Sequence, residues 1–169
     1  MESTLTRVST AVYSICKVMV ILLTVEITLV ITANIFGRYI LDASLYWAEE
    51  VVRYSFVWVT FIGATCAYKN RALISMSVLT HWLSPGMRWK IGLILDAVVG
   101  LFLLISLVFG AKLTLAVLHQ RSASLEISMA IVYICIPLSC LSMLLFNLEQ
   151  FFSVLRQRRP LAIWGEEQL

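Results

Sequence analysis

Four charged residues around the start of a predicted helix are the first candidates for chemistry. Glu49 and Glu50 are adjacent, and Arg53 follows them at a spacing that lets both carboxylates reach its guanidinium on a helix. Arg38 precedes the pair in the sequence. Paired carboxylates suggest acid–base chemistry, but here two arginines balance their charge. The pattern therefore favours a structural ion-pair network, either within the chain or across a subunit contact.

Two further acidic residues fall inside long apolar stretches, where ionisable side chains are costly and mark candidate functional sites. Glu26 follows Lys17 by nine residues, about 13 Å along a helix, which places it near the middle of a membrane. Three interpretations of Glu26 stay open: a proton or cation site of a small antiporter, a neutral hydrogen-bonded group, or a contact with a partner subunit. Asp96 lies about a turn and a half into the third stretch, from where it can approach the membrane surface.

Residue patterns that are typical of enzymes do not occur in the sequence. The two histidines, His81 and His119, lie in connections predicted on opposite sides of the membrane, which argues against paired haem ligation. The four cysteines form no C-x-x-C pair and no zinc-ligand spacing. No glycine-rich phosphate loop, nucleophile elbow or HExxH motif occurs. We expect no catalytic residue, metal site or cofactor, and the composition excludes a nucleic-acid-binding domain.

The composition predicts that helices spanning a membrane hold these residues. Of the 169 residues, 60% are apolar and 14% are charged, and the mean hydropathy is +0.90. A soluble domain of this size cannot hide so much apolar surface from water. Four apolar stretches, at about 12–37, 47–68, 90–118 and 129–155, are long enough to cross a bilayer as helices. The predicted fold is an all-α membrane protein with one four-helix domain over residues 1–169.

The connections and the basic residues predict how the helices lie in the membrane. From 70 to 84, polar positions recur at helical spacing opposite apolar ones, which predicts an amphipathic interfacial helix between helices two and three. Residues 160–169 are expected to form a mobile tail. Nine of the 13 Lys and Arg residues fall at the termini and in this second connection. Because basic residues concentrate on the cytoplasmic side, both termini are predicted to be cytoplasmic.

Proline and glycine within the predicted spans indicate where helices bend or approach one another. Pro137 is expected to bend the fourth helix. Gly63, Gly100 and Gly110 leave shallow helix faces on which neighbouring backbones can approach closely.

The first connection and its flanks contain a longer motif. The pattern N-x-x-x-R-Y runs from Asn34 to Tyr39, and W-x-E-E-x-x-R-Y-x-x-x-W-x-x-x-x-G-A runs from Trp47 to Ala64. This motif, together with the four-helix layout, resembles the small membrane subunit (DctQ type) of tripartite ATP-independent periplasmic (TRAP) transporters. The resemblance implies a small scaffold subunit of a sodium-coupled secondary solute importer in the bacterial inner membrane.

The same resemblance implies partners and residue roles. The partners would be a large multi-helix DctM-type transport subunit, membrane lipids and a periplasmic binding protein that delivers a carboxylate such as a C4-dicarboxylate or a sialic acid. An alternative is a self-sufficient small multidrug-type proton antiporter that uses Glu26, although such chains are usually shorter. The residues implied to stabilise the scaffold or its subunit contacts, none of them catalytic, are Arg38, Tyr39, Trp47, Glu49, Glu50, Arg53, Tyr54, Trp58 and Gly63.

Overall fold

The computed structural model describes residues 2–40, 45–70 and 85–157 as a helical bundle. The apolar sequences form helices because a helix satisfies all of its backbone hydrogen bonds within one segment. In the described residues, the helices are α1 (Glu2–Ile40), α2 (Tyr46–Lys69), α3 (Pro85–Ala116), α4 (Ala130–Tyr133) and α5 (Cys135–Gln157).

Four segments are long and apolar enough to cross a membrane, which confirms the predicted all-α class and its four spans. The spans are Thr6–Ile40, Tyr46–Lys69, Lys90–Ala116 and Ala130–Phe151. The first helix begins at Glu2, well before the predicted start near 12, because no proline or glycine interrupts the polar sequence ahead of the apolar stretch. The predicted interfacial helix, apart from Asn70, and the predicted tail at 160–169 lie outside the described residues.

The spans alternate in direction, and α2 and α5 occupy the centre of the bundle. Helix α1 packs along α2, α3 packs along α5, and α2 and α1 both contact α5. One end, called the Ser9 end, brings together the beginning of α1 and the ends of α2 and α5. The opposite end, called the Glu50 end, holds the beginning of α2 and the connection between α3 and α4.

The fourth span is interrupted at Ile134, between α4 and α5. Pro137 lacks an N–H, and its ring clashes with the carbonyl one turn earlier, so a regular helix cannot continue through this turn. The interruption agrees with the bend predicted from Pro137. The carbonyl of Ile131, in α4, accepts a hydrogen bond from Nε1 of Trp58 at 3.2 Å, which ties α2 to the segment before the interruption.

Two of the three glycines singled out in the sequence lie at close helix contacts. A Cβ on Gly100 would lie 2.9 Å from Oδ1 of Asn147, and a Cβ on Gly110 would lie 2.9 Å from Cγ2 of Ile136. Both positions therefore let α3 approach α5. A Cβ on Gly63 would meet no atom within 4 Å, so the close contact expected there is not made within the described chain.

The outer faces of α1 and α3 are apolar over residues 15–29 and 94–108. Residues at intervals of three and four expose about half or more of their surface on both helices. Such faces suit the hydrocarbon core of a bilayer. They comprise Ile15, Val18, Leu22, Val25 and Leu29 on α1, and Ile94, Val98, Leu101, Ile105 and Val108 on α3.

Candidate functional sites at the two ends of the bundle

Glu50 clamps the connection between α3 and α4 to the beginning of α2. Its carboxylate accepts hydrogen bonds from three successive backbone N–H groups, those of Ala123, Ser124 and Leu125, at 2.9, 3.1 and 2.9 Å. Bonds to an ionised acceptor are shorter and stronger than neutral ones. Glu50 therefore holds a turn that lies more than 70 residues away in the sequence.

The turn that Glu50 holds is built by its own backbone contacts. The N–H of Ser122 donates to the carbonyl of Ile127, and the N–H of Met129 donates to that of Gln120, both at 2.9 Å. Glu126 adopts the left-handed region with φ of 54°, which reverses the chain. The guanidinium of Arg121 donates to the Glu126 carbonyl at 3.3 Å. This geometry directs three N–H groups towards Glu50.

Glu49 and Arg53 lie on the surface of the same helix and take no part in this clamp. Both side chains are exposed, as is that of Arg38 near the end of α1. Within the described ranges, the structure records one salt bridge, and it lies at the Ser9 end. The ion-pair network predicted for this charge cluster is therefore not formed inside the described chain. An ion-pair network between these residues and another subunit stays a prediction.

The other motif residues divide into exposed and inward-facing ones. Tyr39 and Trp47 are exposed near the Glu50 end. Tyr54 and Trp58 are half-buried on α2, where Trp58 holds the Ile131 carbonyl. The motif residue Asn34 accepts a hydrogen bond from the backbone N–H of Leu45 at 3.3 Å through its side-chain oxygen. The motif thus supplies both internal contacts and an outward surface.

At the Ser9 end, three helices meet in a charged cluster. The hydroxyl of Ser9, on α1, donates to the carboxylate of Glu149, on α5, at 2.6 Å. The ammonium of Lys69, the last residue of α2, donates to both groups at 2.5 Å and lies 5.1 Å from the centre of the Phe146 ring. Ser9 is 1% exposed, and Lys69 and Glu149 are about three-quarters buried. One ion pair therefore fastens α1, α2 and α5 together.

Asp96 belongs to a second polar network, between α2, α3 and α5. Nε2 of Gln150 donates to the Asp96 carboxylate at 3.0 Å. Nδ2 of Asn147 donates to the hydroxyl of Tyr68 at 2.8 Å and to the backbone carbonyl of Asp96 at 3.2 Å. Asp96 is only 3% exposed. The side chain is therefore enclosed between helices, and its approach to the membrane surface stays a prediction.

Glu26 lies in α1 with one carboxylate oxygen, Oε2, enclosed by the protein and without a hydrogen-bond partner. The neighbouring residue Ile27 is 7% exposed, which places this part of α1 against the bundle. Elsewhere in the described chain, no group of three His, Cys, Asp or Glu side chains is arranged to hold a metal ion.

Sequence reasoning missed the cluster at the Ser9 end and the true partner of Glu50. Ser9 and Glu149 resemble ordinary polar residues near helix ends, and only their distance from each other reveals the contact. One feature of the sequence indicates that Ser9 faces the bundle. Ser9 lies one turn before Val12 and two turns before Cys16, two apolar residues on the same face of the helix.

The chain is similar in sequence to known transporter components. The profile of the DctQ component of the tripartite ATP-independent periplasmic transporters matches residues 27–157. A protein of Haemophilus influenzae described as a TRAP transporter small permease protein is 31% identical over 58 residues, which are 34% of this chain and 36% of that protein. The matched segment thus spans about a third of that relative's length.

Proposed function

The chain belongs to the DctQ component family of the tripartite ATP-independent periplasmic transporters, and from this we propose that it is the small scaffold subunit of a secondary solute importer. It is a multi-pass membrane protein and a transporter component. In this proposal the chain does not carry the solute, and it holds a large transport subunit in the membrane.

The observation that carries the scaffold role is that carboxylates at both ends of the bundle bind other helices and turns of the same chain. Glu50 is committed to three backbone N–H groups, and Glu149 is committed to Lys69 and Ser9. A transport site needs polar groups that exchange partners as substrate enters and leaves. Carboxylates that are saturated by their own chain instead favour a rigid support.

The partners and the substrate class follow from the family resemblance. The large DctM-type subunit would hold the substrate and sodium sites, and a periplasmic binding protein would deliver a carboxylate. The location would be the bacterial inner membrane. Both termini would be cytoplasmic, which the distribution of nine of the 13 basic residues supports.

Purification of the tagged chain from its native membrane in mild detergent tests the scaffold role. We expect mass spectrometry to identify a large polytopic subunit in a fixed ratio to this chain. After reconstitution into liposomes with the binding protein, the complex should take up the labelled carboxylate only under an inward sodium gradient, and the chain alone should take up none. Recovery of this chain alone as a stable dimer would contradict the proposal.

The enclosed oxygen of Glu26, which has no hydrogen-bond partner, favours one second candidate, a proton antiporter that uses this carboxyl group. The variant Glu26→Gln separates the two functions. If the chain is a scaffold, we expect uptake by the reconstituted complex to stay within about twofold of the unmodified protein, because the amide occupies the same volume. If Glu26 carries protons, transport is lost while membrane insertion and yield remain normal.

A further inference from the structure

One face of α2 points away from the bundle and differs in chemistry from the other outer faces. Its residues follow one another at intervals of three and four, and the first five of them are exposed. Tyr46 is 82% exposed and Phe56 is 51% exposed. We name this surface the α2 outer stripe; it comprises Tyr46, Glu49, Arg53, Phe56, Thr60 and Gly63.

The stripe places two opposite charges on the outside of a membrane-spanning helix. Glu49 and Arg53 lie about 5 and 10 Å along the helix from Tyr46. Neither forms a salt bridge within the part of the chain that the structure describes. A charged side chain on a lipid-facing surface is unfavourable, and the outer faces of α1 over 15–29 and of α3 over 94–108 are apolar. The α2 outer stripe is therefore unsuited to lipid.

Gly63 gives a second, independent indication that another helix covers the stripe. A Cβ at this position would meet nothing within 4 Å, so the glycine is not required by any contact inside the described chain. Small residues on membrane helices allow a neighbouring backbone to approach closely. Lipid chains need no such space, whereas a partner helix does.

We propose that the α2 outer stripe is the surface on which a membrane helix of the large transport subunit docks. That helix would present a basic or hydrogen-bond-donating side chain to Glu49 and an acidic one to Arg53, and it would pass closest to α2 at Gly63. Alternating intervals of three and four suit a left-handed pair of helices. This inference rests on the proposed scaffold function and adds the place and the chemistry of its contact.

A second copy of this chain fits the stripe less well than a different protein does. Two copies inserted in the same orientation and related by a two-fold axis present the same surface to each other. Glu49 would then lie at the same depth as Glu49 of the other copy, and Arg53 at the depth of the other Arg53. Like charges at equal depth repel, so the charge order favours a complementary helix.

Photo-crosslinking in the purified complex tests the location. The full-length chain carries p-benzoylphenylalanine at Phe56 or, as a matched control, at Phe102, an exposed phenylalanine of α3. We expect an adduct with the large subunit from position 56 and none from position 102. An adduct between two copies of this chain at position 56, or the absence of a protein adduct there while the large subunit co-purifies, would overturn the inference.

The outcome is separable from that of the proposed function. If the unmodified chain brings down no large subunit, the scaffold role fails and this inference fails with it. If the large subunit co-purifies but attaches through position 102, only the location is wrong.

Charge variants test the chemistry of the contact. We expect Arg53→Glu to lower recovery of the large subunit by about tenfold or more, because it places like charges together at a buried contact. Lys112→Glu changes an exposed cation on α3 and should leave recovery unchanged. An equal loss in both variants, with both chains inserted normally, would show that the charge on Arg53 has no specific partner.

Discussion

Glu49 and Glu50 carry the same carboxylate one residue apart, and a helix turns their side chains about 100° away from each other. Glu50 meets three backbone N–H groups of the turn at 123–125, whereas Glu49 is exposed. One residue therefore stabilises the isolated chain. The other is available to a partner protein.

This difference predicts that Glu50→Gln destabilises the isolated subunit and that Glu49→Gln does not. An amide has a single acceptor oxygen, and its NH2 group faces N–H donors that it cannot satisfy. We expect Glu50→Gln to lower the free energy of unfolding by about 1–3 kcal/mol, measured by unfolding of the purified chain in detergent. Equal losses in the two variants would show that Glu50 is no more important than its neighbour.

At this scale the sequence predicts the importance of the charge cluster and not its contacts. Spacing on a helix puts both carboxylates within reach of Arg53. The competing donors are backbone groups of a distant turn, which have no side-chain signature. Only the folded chain shows that Glu50 binds them.

Among the helices, the glycines lie in two kinds of surroundings, one packed inside the bundle and one at its surface. Gly100 lies against Asn147, whose amide nitrogen also joins Tyr68 to the backbone of Asp96. Gly63 lies under open space. Glycine thus allows close packing between two helices at position 100, whereas at position 63 it lies on a surface that no described residue covers.

Substitution of these glycines by alanine should have opposite effects on the isolated subunit. Gly100→Ala forces a methyl group to 2.9 Å from Oδ1 of Asn147, and we expect a loss of about 1–3 kcal/mol in the free energy of unfolding. Gly63→Ala should be neutral or stabilise the subunit by about 0.5–1 kcal/mol, because alanine favours the helix. Thermal unfolding in detergent measures both changes. A destabilising Gly63→Ala would mean that this face is already packed.

Hydropathy predicts the four spans because a membrane helix must be long and apolar whatever it contacts. Pro137 in the sequence predicts a bend close to the interruption of the fourth span, since a missing N–H acts locally. The sequence of a single segment does not predict that α3 packs along α5 and that α1 packs along α2. This pairing depends on which faces are complementary, and that requires the positions of all the helices.

The ion pair at the Ser9 end is one of the contacts that join three helices. Ser9, Lys69 and Glu149 each belong to a different helix, and their chemistry is ordinary when each is considered alone. Helical periodicity can show that Ser9 faces the bundle, but no periodicity links residues on three different helices, so the sequence does not reveal the cluster. Because most of each charged side chain is buried, removal of one partner should cost more than it would at a surface ion pair.

Removal of one partner of this pair should loosen the whole bundle. We expect Lys69→Met to lower the free energy of unfolding by about 1–3 kcal/mol, because Glu149 is left largely buried without its counter-charge. Lys17→Met, which removes an exposed cation on α1, should change it by less than about 0.5 kcal/mol. Unfolding titrations of the purified variants measure both values.

The double variant Lys69→Met with Glu149→Leu provides the internal check. It removes both charges, and it should recover most of the stability that the single variant loses. If the double variant is less stable than Lys69→Met, the hydroxyl of Ser9 and the Glu149 carboxylate matter more than the ion pair does.

The contact between Ser9 and Glu149 joins residues that are 140 positions apart. During synthesis, α1 and α2 enter the membrane and can pair long before Glu149 has been made. Lys69 must therefore spend that interval without its carboxylate, at the point where α2 leaves the bundle. The bundle is therefore complete only when the last span has been inserted. A chain released before Glu149 is made would be inserted in the membrane but would lack the ion pair that joins α1 and α2 to α5.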